Sequence, residues 1–174
     1  MIPQRKRLSF ALRGGRIIDP ANQVDQIGDL FIRHGKIVGL GATPDDFAAD
    51  HDIDARGKIV CPGLIDLSAR LREPGLEHKA TIDSETRAAA AGGITTLCCP
   101  PDTDPIIDTP AVVELIRHRS EEAGYARVVT LGALTQALAG ERLTEAAALK
   151  LAGCCGLSNA LMPLTNTLVQ RRAF

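Results

Sequence analysis

From residue 62 onward, short apolar runs alternate with segments of helical pattern, and this alternation is the feature that most constrains the fold. The run Ile94–Cys99 is rich in β-branched and small apolar residues, which predicts a buried strand. The alanine-rich segment over residues 81–91 predicts a helix, and Gly92 and Gly93 end it. A strand that follows a helix in this way is typical of parallel strands joined by right-handed crossovers.

The same unit recurs along the rest of the chain. Thr109 and Pro110 are typical of a helix start and Gly124 of a helix end, which predicts a helix over residues 110–123. Further predicted elements are a strand over 126–132, a helix over 143–152, a strand over 154–158 and a helix from 164 onward. About four β/α units amount to half of a (β/α)8 TIM barrel. Because the last helix has no stop signal near Phe174, we expect the chain to be truncated within a barrel and to self-associate through its open strand edges.

The region before residue 62 has a different pattern. Short β-prone runs are separated by glycine-containing turn signals, such as Gly14-Gly15 and the two-residue connection His34-Gly35. Several short strands of this kind predict a small β-sandwich. We therefore expect an α/β protein with a β-sandwich domain over residues 1–61 and the N-terminal half of a TIM barrel over residues 62–174.

Charge and hydropathy exclude several classes of protein. The chain has 174 residues, with Lys+Arg 20 against Asp+Glu 21 and a net charge of -1, which gives no general electrostatic footprint for nucleic acid or an acidic membrane surface. No apolar run approaches the ~20 residues of a membrane span, and the start of the chain lacks a secretory signal. The basic residues Arg5, Lys6 and Arg7 are interpreted as a solvated tail. A cytoplasmic protein that binds neither nucleic acid nor membrane is predicted.

The chain has five cysteines, Cys61, Cys98, Cys99, Cys154 and Cys155. Neighbouring cysteines on a strand point to opposite faces, so neither adjacent pair suits a shared zinc ion or a disulfide. We interpret all five as small buried apolar residues in a reducing compartment.

The segment over residues 62–75 resembles the signature of dihydroorotases, which are amidohydrolases that open and close the dihydroorotate ring. Its most specific part is the run Leu71-Arg72-Glu73-Pro74-Gly75. Further similar segments are 14–20, 85–105, 132–135 and 151–158, so the resemblance covers nearly the whole chain. It implies a TIM barrel and, in active members, metal-assisted hydrolysis by a zinc-bound water.

The departures from the family pattern fall on its functional positions. Two zinc-binding histidines of the family are replaced by Ser68 and Arg70, and an arginine is a permanent cation without a lone pair to donate. A ligand aspartate is replaced by Asn159, and a substrate-binding asparagine by Asp102, whose carboxylate would repel an anionic substrate. These substitutions predict that no zinc or other cofactor is bound.

Two further positions are candidates for a functional role. Arg72 matches the family arginine that binds the substrate carboxylate, and a guanidinium group suits that task. The alternative, which we favour, is a scaffold salt bridge from Arg72 to Glu73 or Asp102. His78 follows the first barrel strand on the face where active sites lie, but it has no partner at metal-ligand spacing. The predicted site is therefore vestigial, with Arg72 and Asp102 as former substrate-binding positions and no catalytic residue.

The chain resembles the inactive dihydroorotase-like subunits that accompany aspartate carbamoyltransferase. This resemblance implies a pseudoenzyme of pyrimidine biosynthesis, a structural partner of the aspartate carbamoyltransferase catalytic subunit within an oligomer. The alternatives are an active zinc dihydroorotase or related cyclic amidohydrolase, and a nonfunctional fragment of either. Analysis of bound metal separates the first two.

Overall fold

Two units, Met1–Pro62 and Gly63–Phe174, divide the chain, and the computed structural model describes residues 8–173 of it. The basic residues 5–7 and Phe174 therefore lie outside the described residues. Among the described residues, none of the helices has the length and apolar character needed to cross a membrane.

The first unit is built on one sheet. Its strands are β1 (Ser9–Asp19), β2 (Val24–Arg33), β3 (Lys36–Leu40), β4 (His51–Asp54) and β5 (Ile59–Val60). The order is β3-β2-β1-β4, and β5 also pairs with β1. Strands β1 and β2 are antiparallel, whereas β4 and β5 run parallel to β1. A single 3-10 turn, Pro20–Asn22, connects β1 to β2.

Two expectations for this region need correction. The glycines at 14 and 15 do not reverse the chain, because β1 continues through them with a register shift between Leu12 and Gly15. Gly14 has a φ of 67°, and its N–H donates to Asp29 Oδ1 at 2.8 Å instead of to the sheet, so the glycine signal marks a β-bulge. The described residues form a single sheet in this unit, and a two-layer sandwich is not confirmed.

The second unit contains the predicted alternation of strands and helices. Its elements are β6 (Leu64–Asp66), α1 (Ile82–Ala91), β7 (Ile94–Cys99), α2 (Pro110–Ala123), β8 (Arg127–Ala133), α3 (Ala146–Ala152), β9 (Gly156–Ser158) and α4 (Thr167–Ala173). The strand order is β6-β7-β8-β9, and every neighbouring pair is parallel. This is a half-barrel parallel sheet, as expected from the sequence.

Local signals explain where the helices of this unit begin and end. The hydroxyl of Thr81 accepts a hydrogen bond from Ser84 N at 3.2 Å, and Ser84 Oγ accepts one from Thr81 N at 3.0 Å, so a capping box starts α1. Helix α2 ends at Gly124, which has a φ of 69°. Helix α3 begins three positions later than the predicted residue 143, because Thr144 Oγ1 donates to Ala133 O at 2.6 Å and holds this segment in an irregular conformation.

The hydrophobic core of the second unit lies between the sheet and its helices. Its buried members are Leu71, Ile82, Leu97, Cys99, Ile107, Val112, Val113, Ile116, Ala126 and Leu149. The side chains of Ile82, Ile116 and Leu149 are 0% exposed. Full burial of such a side chain contributes about 1.5–3 kcal/mol. This core holds in place the strands whose ends carry the residues of the candidate site.

Candidate functional site

The candidate site lies where the strands of the second unit end. Strand β6 ends at Asp66 and leads into the segment that holds Ser68, Arg70 and Arg72. Strand β7 ends at Cys99, shortly before Asp102. The carboxyl ends of parallel strands meet at one edge of the sheet, which is where barrel enzymes carry their chemistry.

Arg70 and Asp102 form an ion pair at this edge. Arg70 Nε donates to Asp102 Oδ2 at 2.7 Å, and the two side chains are 32% and 29% exposed. The backbone brings them together, since Ala69 N donates to Cys98 O at 2.9 Å and so continues the pairing beside β7. The guanidinium group at one of the predicted former ligand positions is therefore held by a carboxylate.

The prediction that Arg72 forms a salt bridge with Glu73 or Asp102 is wrong. Asp102 pairs with Arg70. Glu73 uses one carboxylate oxygen to accept a hydrogen bond from Ile82 N at 2.8 Å, and the other lies 3.5 Å from Arg119. Within residues 8–173, Arg72 forms no ion pair. Its exposed side chain lines a small cavity together with Arg70 and Asp102.

Ser68 occupies a tight turn after β6. Its backbone N–H donates to Asp66 Oδ1 at 2.9 Å, and the residue is exposed. The carboxylate of Asp66 is therefore engaged with the backbone of the turn. His78 is exposed in the loop before α1.

Asn159 follows β9 and uses its whole amide group to hold nearby loops. Its Oδ1 accepts a hydrogen bond from Thr135 Oγ1 at 2.7 Å. Its Nδ2 donates to Met162 O at 3.0 Å and to Leu138 O at 3.5 Å. Thr135, which is 0% exposed, also accepts a hydrogen bond from Gly140 N at 3.0 Å. The sequence identified Asn159 as a lost ligand, but it did not reveal the role of Thr135.

The residues at the family's ligand positions do not fit a zinc ion. Catalytic zinc takes three protein ligands from histidine, carboxylate or thiolate groups. The three substituted positions hold an exposed serine, an ion-paired arginine and an asparagine whose amide is already hydrogen-bonded. No group of three or more His, Cys, Asp or Glu side chains in the described part of the chain is placed to hold a metal ion.

The prediction that all five cysteines are buried is only partly correct. Cys98 and Cys99 are buried, whereas Cys61 and Cys155 are exposed and Cys154 is half-buried. Burial raises the pKa of Cys99 to about 12. Burial, and then the neighbouring thiol of Cys155, raise the pKa of Cys98 to about 11. The sulfur atoms of Cys98 and Cys155 lie 4.0 Å apart.

Sequence reasoning missed this contact between Cys98 and Cys155 because it compared only the two members of each adjacent pair. The available signal was the predicted order of the parallel strands. That order brings inward-facing residues of alternate strands to one level of a barrel interior.

Comparison with known proteins supports the family resemblance. Residues 57–171 match the family described as Dihydro-orotase-like. A dihydroorotase-like protein from Pseudomonas aeruginosa is 51% identical over 166 residues, which cover 95% of this chain and 39% of that protein. A dihydroorotase from Solibacter usitatus is 42% identical over 166 residues, which cover 95% of this chain and 38% of that protein. The chain thus spans about two fifths of the length of these curated relatives.

A solved structure shows the same fold. The L-hydantoinase (dihydropyrimidinase) from Arthrobacter aurescens matches with a TM-score of 0.68 and 24% identity, covering 86% of this chain and 32% of that chain. This likeness shows a shared α/β fold. Because the family match extends over most of the chain and the relatives are this similar in sequence, the chain belongs to the dihydroorotase-like family.

Proposed function

We propose that the chain belongs to a dihydroorotase-like pseudoenzyme of pyrimidine biosynthesis, with a structural and not a catalytic role. The observation that carries the proposal is the ion pair between Arg70 and Asp102 at 2.7 Å. A guanidinium group cannot coordinate a metal, and its charge repels one. The pair also places a cation and a carboxylate where an active member needs an imidazole and a neutral amide.

The environment of Asn159 supports the same proposal. In an active member this position supplies a carboxylate to the metal, and a carboxylate only accepts hydrogen bonds. In this chain the side chain donates to the carbonyl of Met162 and accepts from the hydroxyl of Thr135. An amide can donate and accept a hydrogen bond at the same time, so the neutral Asn159 satisfies both of these partners.

The remaining groups do not replace a metal-bound nucleophile. The thiols of Cys98 and Cys99 stay protonated at neutral pH because burial raises the pKa of each, to about 11 and about 12. Hydrolysis of a stable amide ring requires an activated water or a nucleophile with a pKa near the working pH.

The partner we propose is the catalytic subunit of aspartate carbamoyltransferase, within an oligomer. The support is the resemblance to inactive dihydroorotase-like subunits together with the loss of the ligand residues. A scaffold freed from catalysis keeps its outer surface for such contacts. We propose a cytoplasmic location for this assembly.

Co-expression followed by size-exclusion chromatography tests the partnership. We expect the chain to elute with the aspartate carbamoyltransferase catalytic subunit, and an active dihydroorotase of the same family serves as the control partner. Two separate peaks at micromolar concentration would contradict the proposed assembly.

An active cyclic amidohydrolase is the second candidate, and the exposed Arg72 favours it. Arg72 lines the cavity beside Arg70, and a guanidinium group without an ion-pair partner among the described residues is suited to a substrate carboxylate. A ring-opening assay on dihydroorotate decides between the candidates. Turnover by the purified protein would favour the enzyme, whereas binding without turnover would favour a vestigial site.

A further inference from the structure

The two adjacent cysteine pairs divide their sulfur atoms between two faces of the parallel sheet. Cys99 is 0% exposed within the helix-side core, and Cys154 packs against that core. Successive residues of a strand point to opposite faces. Cys98, which precedes Cys99 on β7, therefore lies on the other face, and the sulfur atom of Cys155, in the bend before β9, lies 4.0 Å from the sulfur atom of Cys98.

These two sulfur atoms are close, but their backbones are too far apart for a disulfide. Cys98 lies on β7, Cys155 directly precedes β9, and β8 lies between these strands. Neighbouring strands are about 4.8 Å apart, so two intervals separate the backbones by roughly 10 Å. A disulfide requires Cα atoms within about 7 Å of each other. The thiols therefore stay free unless the backbone moves.

Two free thiols at this separation suit a bridging ion better than a covalent bond. A structural zinc site needs four ligands, and within residues 8–173 no group of three metal-binding side chains is present. Soft cations such as Cu(I) prefer thiolate ligands. We propose that Cys98 and Cys155 form a two-thiol site that binds one soft monovalent cation of the Cu(I) type.

The exposure and protonation of the two thiols fit this site. Cys98 is 6% exposed and Cys155 is exposed, so an ion enters past Cys155 and reaches the more buried sulfur. Burial and the neighbouring thiol raise the pKa of Cys98 to about 11, so this thiol is neutral at rest. Binding forms two sulfur–cation bonds and releases both thiol protons to solvent, and no oxidation state changes. Retention of the cation should therefore increase with pH.

Silver(I) is a redox-inert probe for this site. The reduced chain is titrated with Ag(I) in the presence of excess small-molecule monothiol, so that only a two-thiol site retains the ion, and the product is read by native mass spectrometry. We expect one retained equivalent in the wild type and at least tenfold weaker retention in Cys98→Ser and in Cys155→Ser. The matched control Cys61→Ser removes an exposed thiol of the first unit and should retain silver as the wild type does.

A second measurement avoids any dependence on the folding of the variants. Maleimide labelling of the wild type, mapped by peptide mass spectrometry, should show that silver protects the exposed Cys155 and leaves the exposed Cys61 labelled. When the monothiol is replaced by a competitor that releases no proton on binding silver, retention should also rise between about pH 6 and about pH 8.

Three results would overturn the proposal. They are retention in both serine variants equal to that of the wild type, retention that does not change with pH when the competitor releases no proton, and a near-stoichiometric disulfide between Cys98 and Cys155 after mild oxidation.

Discussion

Replacing Asn159 by aspartate should destabilise the protein, although it introduces the residue type that the family resemblance implies at this position. The change preserves the acceptor for Thr135 Oγ1 but removes the donor to Met162 O at 3.0 Å and to Leu138 O at 3.5 Å. Asn159 is 9% exposed, so the new carboxylate would face carbonyl oxygens with little water. An unsatisfied buried polar group costs about 1–3 kcal/mol, and the lost hydrogen bond about 1 kcal/mol. Together we expect a loss of about 2–4 kcal/mol in unfolding free energy at neutral pH.

This penalty should depend on pH in a defined direction. The folded environment disfavours the charged form of the introduced carboxyl, so its pKa lies above the unfolded value of about 3.9. The part of the penalty that falls on ionisation, about 1–3 kcal/mol, corresponds to a pKa rise of roughly one to two units, since one unit is about 1.4 kcal/mol. The electrostatic part of the loss should therefore be absent below about pH 4, grow up to about pH 6 and stay constant above it.

Urea unfolding between about pH 4 and about pH 8 measures both effects. Asn159→Ala is the control, because it removes the donor to Met162 O and Leu138 O, together with the acceptor for Thr135 Oγ1, without adding a titratable group. We expect the control to be destabilised by a nearly constant amount across this pH range, relative to the wild type. If Asn159→Asp were as stable as the wild type at neutral pH in metal-free buffer, the structural role assigned to the amide would be wrong.

Three further predictions concern helix capping, a close backbone approach and the lost chemistry. Thr81→Ala should lower the unfolding free energy by about 0.5–2 kcal/mol in urea titrations, because it removes the capping box of α1; an unchanged midpoint would contradict this. Gly75→Ala should be more destabilising than Gly93→Ala, since both glycines have positive φ but only at Gly75 would a Cβ meet Asp104 O, at 2.3 Å; equal losses in thermal melts would show that the close approach has no effect. The double variant Ser68→His, Arg70→His should not hydrolyse dihydroorotate, because Asn159 and Asp102 are unchanged, and turnover well above the uncatalysed rate would refute this.

Secondary-structure elements were predicted correctly where the residues within or next to the element determine its bounds. The bounds of β7 (Ile94–Cys99) and of α2 (Pro110–Ala123) are those expected from β-branched content and from the proline and glycine at the helix ends. The parallel order of the second unit also follows from the alternation of strand and helix. In contrast, the turn predicted at Gly14 and Gly15 is wrong, because the same glycine pattern allows either a turn or a bulge and only the continued pairing of β1 with β2 decides between them.

The sequence identified the residues of the candidate site but did not predict which of them form an ion pair. Arg70, Arg72 and Asp102 were identified from the family pattern, yet the ion pair of Asp102 was expected with the wrong arginine. Arg70 and Arg72 are two positions apart, and Arg72 has a φ of 67°, which local sequence does not predict for an arginine. Contacts between distant segments, such as that between Thr135 and Asn159, depend on how the strand ends are arranged in space. The spacing of residues along the sequence does not predict them.

Elemental analysis of the purified protein tests the central claim most directly. The protein is prepared without chelator in zinc-supplemented medium, and zinc is measured together with an active dihydroorotase prepared in parallel. Since Arg70 is ion-paired with Asp102 and the amide of Asn159 is fully hydrogen-bonded, the account predicts no stoichiometric zinc. One equivalent of zinc per chain, lost on substitution of Ser68 or Asn159, would contradict it.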